Sequence, residues 1–208
     1  ATLSAKGENP HTLVMSATPI PRTLSLIVFG DLDISIIDQM PVGRKKVSTS
    51  VIAKSREADM LKYIRNELLQ GRQAYFVCPI IEEDEESTLI SAEGLFEELS
   101  SGYLKDIPIA LMHGKMSAEE KNQTMDAFNK GEIKAIISTT VIEVGVNVKN
   151  ATIMVIYGCD RFGLSQLHQL RGRVGRGEQK SYCFLLMESQ NENTLERLTI
   201  MAKNSNGF

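Results

Sequence analysis

The sequence predicts an α/β domain, a largely parallel sheet with helices on both faces, from two features of its pattern. Short apolar runs rich in β-forming residues alternate with amphipathic stretches of helical length, which is how successive βαβ units read. Helix boundaries are also marked. Ser117 precedes Glu120 at the spacing of a capping box, and Gly71 and Gly131 stand just past helical stretches, where a left-handed cap is expected.

In chain order, a strand at Thr12–Met15 and a helix at Pro21–Phe29 come first. With one short extended run they make up roughly 40 residues, too few for a core of their own. Pro41-Val-Gly-Arg-Lys-Lys46 reads as a linker, because Pro and Gly interrupt the pattern and the charges prefer water. Residues 1–43 are therefore expected to be the tail of a preceding domain plus a linker, and residues 44–208 a complete domain. Within it, strands are expected at Ser48–Ile52, Ala74–Cys78, Ile107–Leu111, Ala135–Ser138, Thr152–Tyr157 and Tyr182–Met187. Helices are expected at Arg56–Leu69, Ser91–Leu99, Ser117–Asn129, Leu164–Arg176 and Thr194–Lys203. The acidic run from Glu82 to Thr88 reads as a solvated loop. No internal repeat is visible.

Composition narrows the class. The 208 residues are 42% hydrophobic and 24% charged, ordinary for a globular protein. Apolar runs such as Leu24 to Phe29 are too short to span a bilayer, and no secretory signal opens the sequence. Three cysteines and three histidines are widely scattered, which offers neither a disulfide framework nor a metal site and fits a reduced, cytoplasmic setting. The net charge of −3 argues weakly against nucleic acid, but positive charge is concentrated at Arg44-Lys45-Lys46 and at Arg171, Arg173 and Arg176.

The densest chemistry lies in Gln166-Leu-His-Gln169-Leu-Arg171-Gly-Arg173-Val-Gly-Arg176-Gly177. On a continuous helix, Gln166, Gln169, Arg173 and Arg176 fall at i, i+3, i+7 and i+10 and share a polar stripe, with Leu167, Leu170 and Val174 opposite. Gly172 and Gly175 lack a Cβ, so a backbone or a phosphate can approach, although each weakens a helix by ~1 kcal/mol relative to Ala. Arginine suits phosphate because its planar, permanently charged fork bonds two oxygens at once. An exposed basic helix paired with surface acids is the plainer alternative, but it gives the glycine spacing no purpose. Elsewhere, Asp84-Glu85 has the look of an acid pair at a strand end, yet Pro79 interrupts the strand and both acids sit in the acidic run. No G-x-x-x-x-G-K-[ST] occurs in the sequence, so the loop that cradles β- and γ-phosphates is not among these residues.

The segment from Gln169 to Arg176 resembles the QxxGRxGR motif of superfamily 2 helicases, and the resemblance extends along most of the chain. Ser16-Ala17-Thr18 is similar to their SAT motif. Ser138-Thr139-Thr-Val-Ile-Glu-Val-Gly145-Val-Asn147 is similar to their fifth motif, and Met112-His-Gly114-Lys-Met116 with the helix after it resembles the segment between the two. Ser16-Ala-Thr-Pro-Ile-Pro-Arg-Thr and Arg161-Phe-Gly-Leu-Ser-Gln-Leu-His-Gln-Leu-Arg-Gly-Arg narrow the likeness to RecG-like helicases and transcription-repair coupling factors. His168 and Gly177 favour the RecG-like group.

The resemblance implies a RecA-like fold of the P-loop NTPase type. It further implies the second motor domain of an ATP-dependent DNA helicase that remodels branched DNA, such as stalled forks and Holliday junctions, in recombination and repair. ATP with Mg2+ would be bound mainly by a first RecA-like domain that these residues do not include, so the chain alone is expected not to hydrolyse ATP. By the same resemblance, Arg173 and Arg176 reach the γ-phosphate and Gln169 senses the nucleotide. Gly145 lets backbone pass near the ribose, and Asn147, where the family usually has Asp, lies beside the ribose hydroxyls. Ser16 and Thr18 couple hydrolysis to movement, and Thr139 with Gly114 holds a DNA phosphate. The implied partners are branched or single-stranded DNA and the first RecA-like and wedge domains of one longer chain, with no membrane. Two alternatives stay open: a translocase domain like that of the coupling factor, with RNA polymerase as partner, and a non-catalytic nucleic-acid- or protein-binding module.

Overall fold

The computed structural model describes Ser35 and residues 45–79, 85–139, 148–188 and 192–203, with residues 85–90 described by their backbone alone. The chain divides into two units, Ala1–Asp38 with Gly207–Phe208, and Gln39–Asn206. Every element described below belongs to the second. The expected strand at Thr12–Met15, the helix at Pro21–Phe29, and the candidate residues Ser16, Thr18, Gly145 and Asn147 lie outside the described residues.

Six strands form one sheet: β1 (Ser48–Ile52), β2 (Gln73–Val77), β3 (Ile109–Met112), β4 (Ala135–Ser138), β5 (Ala151–Ile156) and β6 (Tyr182–Leu186). Their order is β1-β6-β5-β2-β4-β3, and every pairing is parallel. Among the described residues, four helices lie between strands, α1 (Glu57–Leu69), α2 (Glu85–Ser101), α3 (Ala118–Asn129) and α4 (Leu164–Arg171), and α5 (Glu192–Lys203) follows β6. All strands expected from Ser48 onward are present.

The central strands read as unbroken apolar runs because both sheet faces are covered. On β2, Tyr75 and Val77 join the core under α3, α4 and α5, with Phe128, Leu167, Leu170, Leu198 and Met201. Ala74, Phe76 and Cys78 of the same strand point the other way, against Leu61, Ile64 and Leu68 of α1 and Leu99 of α2. The helix signals also hold. Ser117 and Glu120 form the reciprocal capping box, and Gly71 and Gly131 take φ of +90° and +77° after α1 and α3.

Two expectations are corrected. The run from Glu82 to Thr88 is not all loop, since the backbone is helical from Glu85 onward. Acidic residues belong at the positive amino end of a helix as readily as in a loop, so the charges alone did not decide. More consequential, the expected helix Leu164–Arg176 stops at Arg171. Gly172 is its C-cap, and Gly175 takes φ of +76°, which no right-handed helix contains. The stripe of Gln166, Gln169, Arg173 and Arg176 is therefore broken, and the two arginines stand in the loop between α4 and β6. Two glycines three residues apart make continuing the helix costly.

Candidate functional site

A parallel sheet has a carboxyl edge and an amino edge, and the expected site residues fall on both. Gly114 follows β3 and Thr139 follows β4, at the carboxyl ends of neighbouring strands whose register pairs Met112 with Ser138. Gly114 is exposed. Thr139 is only 4% exposed, and its backbone N–H donates to the Met112 carbonyl at 3.4 Å. α3 starts beside them. The Ser117 hydroxyl accepts from the Glu120 N–H at 3.2 Å, the Ser117 N–H donates to the Glu120 carboxylate at 2.8 Å, and Lys121 Nζ donates to the Gly114 carbonyl at 3.0 Å. Bonds from the Ser117 amide and then its hydroxyl hold the Glu120 carboxyl below its usual range, with His113 adding to the effect. The structure thus brings Gly114 and Thr139 together, with a lysine on the turn.

The arginine loop lies at the opposite, amino edge, because α4 leaves the carboxyl end of β5 and returns across the sheet. Its glycines show how tightly it is seated. A Cβ on Gly175 would come 2.8 Å from Val47 Cγ2, and one on Gly177 would come 2.7 Å from the Lys149 carbonyl oxygen. The loop is therefore wedged between the residues that enter β1 and those that enter β5.

Arg173 is half-buried and Arg176 is exposed, with Arg176 Nε donating to the Gly172 carbonyl at 3.4 Å. Both act on one buried group. Tyr75 of β2 lies with its ring centroid 5.0 Å from that of Phe128, and burial pushes its hydroxyl up to about 12, against the pull of Arg176 and then Arg173. The structure thus brings Arg173 and Arg176 together over Tyr75, although not on a helix. Gln169 is exposed near the end of α4. Gln166 has a local task, its side-chain oxygen accepting from the Gly163 N–H at 2.9 Å at the helix start.

Arg171 was not singled out by its spacing as a functional residue, yet it is the buried arginine of the group, at 7% exposure. Its Nη1 donates to the Met201 carbonyl at 3.0 Å, and its Nη2 lies 2.7 Å from His168 Nδ1. Burial, and then the Arg171 charge, lower the pKa of His168, so the imidazole is neutral and Nδ1 accepts. One signal could have found it: Arg171 stands four residues after Leu167, in register with the apolar stripe. Cys78, Cys159 and Cys183 are buried thiols that burial pushes up to about 12.

Among the described residues no group of three or more His, Cys, Asp or Glu could hold a metal ion, and no helix is long and apolar enough to cross a membrane. The amino edge carries an exposed guanidinium, Arg176, and a half-buried one, Arg173, on a loop whose backbone position is set by packing. Such a loop can stabilise phosphate charge but cannot enclose a triphosphate.

Comparison with known proteins agrees with this geometry. Residues 55–178 match the family of helicase conserved C-terminal domains. The ATP-dependent DNA helicase RecG of Bacillus subtilis (strain 168) is 49% identical over 206 residues, covering 99% of this chain and 30% of that protein. A structure of RecG bound to a three-way DNA junction superposes with a TM-score of 0.79 at 45% identity, over 93% of this chain and 25% of that one. The C-terminal domain of the DEAD-box protein Dbp5 shares the fold alone, with a TM-score of 0.53 at 17% identity over 77% of this chain and 84% of that one. The chain thus spans about 30% of the length of the curated relative it matches so closely. It belongs to the helicase conserved C-terminal domain family, and its single parallel sheet is the RecA-like fold of that family.

Proposed function

We propose that this chain is the second motor domain of an ATP-dependent DNA helicase that remodels branched DNA, such as stalled forks and Holliday junctions, in the cytoplasm. The observation that carries the reading is the place of Arg173 and Arg176. Open α/β sheets hold their own ligands at the carboxyl edge, whereas this loop presents guanidiniums at the amino edge. Arginines placed there serve a phosphate gripped by another domain. In this reading that domain is a first RecA-like domain holding ATP with Mg2+, whose hydrolysis supplies the free energy for movement. Arg176, the exposed one, meets the γ-phosphate. Arg173 supports it, and Gln169 contacts the nucleotide from the end of α4. Gly145 and Asn147 keep their place beside the ribose, and Ser16 and Thr18 couple hydrolysis to movement.

At the other edge, the exposed Gly114 turn, with Thr139 behind it and Lys121 bonded to its carbonyl, meets a phosphate of branched or single-stranded DNA. Such contacts position a strand without reading its sequence. The two edges are separated by a strand length, roughly 15–20 Å, of densely hydrogen-bonded sheet. A displacement of the arginine loop against ATP therefore moves the DNA edge as part of one body. Junction recognition falls to a wedge domain of the longer chain.

The test is Arg176→Ala in a full-length enzyme carrying this domain. DNA-stimulated ATP turnover is expected to fall ~10³-fold or more, because a finger of this kind stabilises transition-state charge. Junction affinity, measured by fluorescence anisotropy, is expected to stay within about threefold, since the arginine lies on the edge away from DNA. Equal loss of both would place Arg176 on the DNA surface and overturn the assignment.

A further inference from the structure

Arg171 ties the end of α4, from which the arginine loop leaves, to the rest of the domain. It is the last residue of α4, immediately before the Gly172 cap, so it sets where the chain leaves the helix towards Arg173 and Arg176. Its guanidinium is buried against two anchors that belong to different elements. One is the Met201 carbonyl in the last turn of α5, thirty residues on, at 3.0 Å, and the other is His168 Nδ1 in α4, at 2.7 Å. A cation in the last turn of a helix is placed favourably with respect to its dipole. The planar fork bonds both anchors at once, which fixes its orientation as well as its position.

A core position at this point in the domain could have been filled by an apolar side chain of similar length. Replacing a buried ionic group by a well-packed hydrophobe is often neutral or stabilising, so packing alone does not explain a guanidinium here. Directional bonding does. The loop beyond Arg171 is seated by close approach at Gly175 and Gly177 and by the buried Val174, and Arg171 adds direction to a position that packing already limits.

We propose that Arg171 is a positioning residue: by clamping the end of α4 to the end of α5 it aims the Arg173 and Arg176 loop. The inference rests on the reading of that loop as the one that meets the phosphate. In that reading an error of about 1 Å in a group stabilising a transition state costs on the order of 10²-fold in rate. Ground-state binding of nucleotide, held mainly by the other motor domain, is largely spared.

The experiment compares Arg171→Met with Arg176→Ala in a full-length enzyme carrying this domain. Arg171→Met is expected to unfold at a denaturant concentration close to that of the parent. Its kcat for DNA-stimulated ATP hydrolysis is expected to fall about 10²-fold with KM for ATP within about threefold, the pattern of an interaction made only in the transition state. Arg171→Lys, which keeps the charge but not the fork, is expected to recover little of the loss. Normal turnover by a folded Arg171→Met overturns the inference, and so does a rise in KM with kcat unchanged. Normal turnover by Arg176→Ala instead overturns the reading of the loop itself, so the two failures are distinguishable. Should Arg171→Met fail to fold, His168→Ala carries the test, because it removes one anchor and leaves the Met201 bond. A roughly tenfold loss of kcat is expected there, and unchanged turnover counts against the clamp. A spectroscopic readout on the 208-residue chain is independent of hydrolysis: nitrogen-15 spectra are expected to show His168 protonated at Nε2 with Nδ1 accepting, and the reverse tautomer would contradict the geometry.

Discussion

At Gly175 two constraints coincide. The backbone takes φ of +76°, and a Cβ built there would stand 2.8 Å from Val47 Cγ2. A side chain at that position faces left-handed strain and a contact that only a shift of Val47 or of the loop relieves. Gly175→Ala is expected to destabilise the domain by about 1–3 kcal/mol, read as a lowered urea midpoint with an unchanged slope. An unchanged midpoint would mean that the loop does not hold this conformation. In sequence the glycines read as room for an approaching phosphate, and for Gly175 the neighbour turned out to be the protein's own Val47. The arginine pair was legible as a motif, because its spacing and chemistry are local. Arg171 was not. Its anchor at Met201 is thirty residues away, and no local pattern displays a carbonyl waiting at the end of another helix.

Elements were legible to different degrees, for reasons their capping and burial explain. The central strands were clear because a sheet covered on both faces leaves most positions apolar, and α3 was clear because Ser117 and Glu120 announce its start. α4 was read too long, since hydrophobic periodicity continues through Val174, which is buried in the loop without being helical. The cap of α3 makes a measurable claim. The Glu120 carboxyl is held below its ordinary value of 4.5 in the folded protein, so the folded state binds fewer protons there than the unfolded one. Its contribution to stability is present above about 4.5 and is lost as pH falls from there through the lowered value. Ser117→Ala removes the hydroxyl half of the box and is expected to cost about 1 kcal/mol at neutral pH. The gap between variant and parent should narrow on acidification from neutral pH through the lowered value, as Glu120 becomes protonated. Chemical denaturation across that range checks this, and a gap of constant size would show that the carboxyl and the hydroxyl do not act together.

For the whole molecule, the separation of the two edges decides what the chain can do by itself. Its arginine loop lies at the amino edge, and its sequence contains no G-x-x-x-x-G-K-[ST] to enclose the β- and γ-phosphates. A guanidinium accelerates phosphoryl transfer by stabilising charge on a phosphate that something else has positioned next to a metal and a water. Without that positioning the stabilisation has nothing to act on, and the rate falls back towards that of ATP in solution. The 208-residue chain is therefore expected to show no ATP turnover above background, with or without a three-way DNA junction present. The DNA edge does not depend on the other lobe, so weak junction binding should survive. It should weaken steeply with salt, because phosphate contacts release counterions and the chain carries a net charge of −3. Supplying a first RecA-like domain in the same polypeptide should restore turnover, and Arg176→Ala should abolish it again. The decisive measurement is a coupled ATPase assay on the chain alone: DNA-stimulated turnover there would mean that the phosphates are gripped within this domain, and that its arginines do not depend on a neighbour.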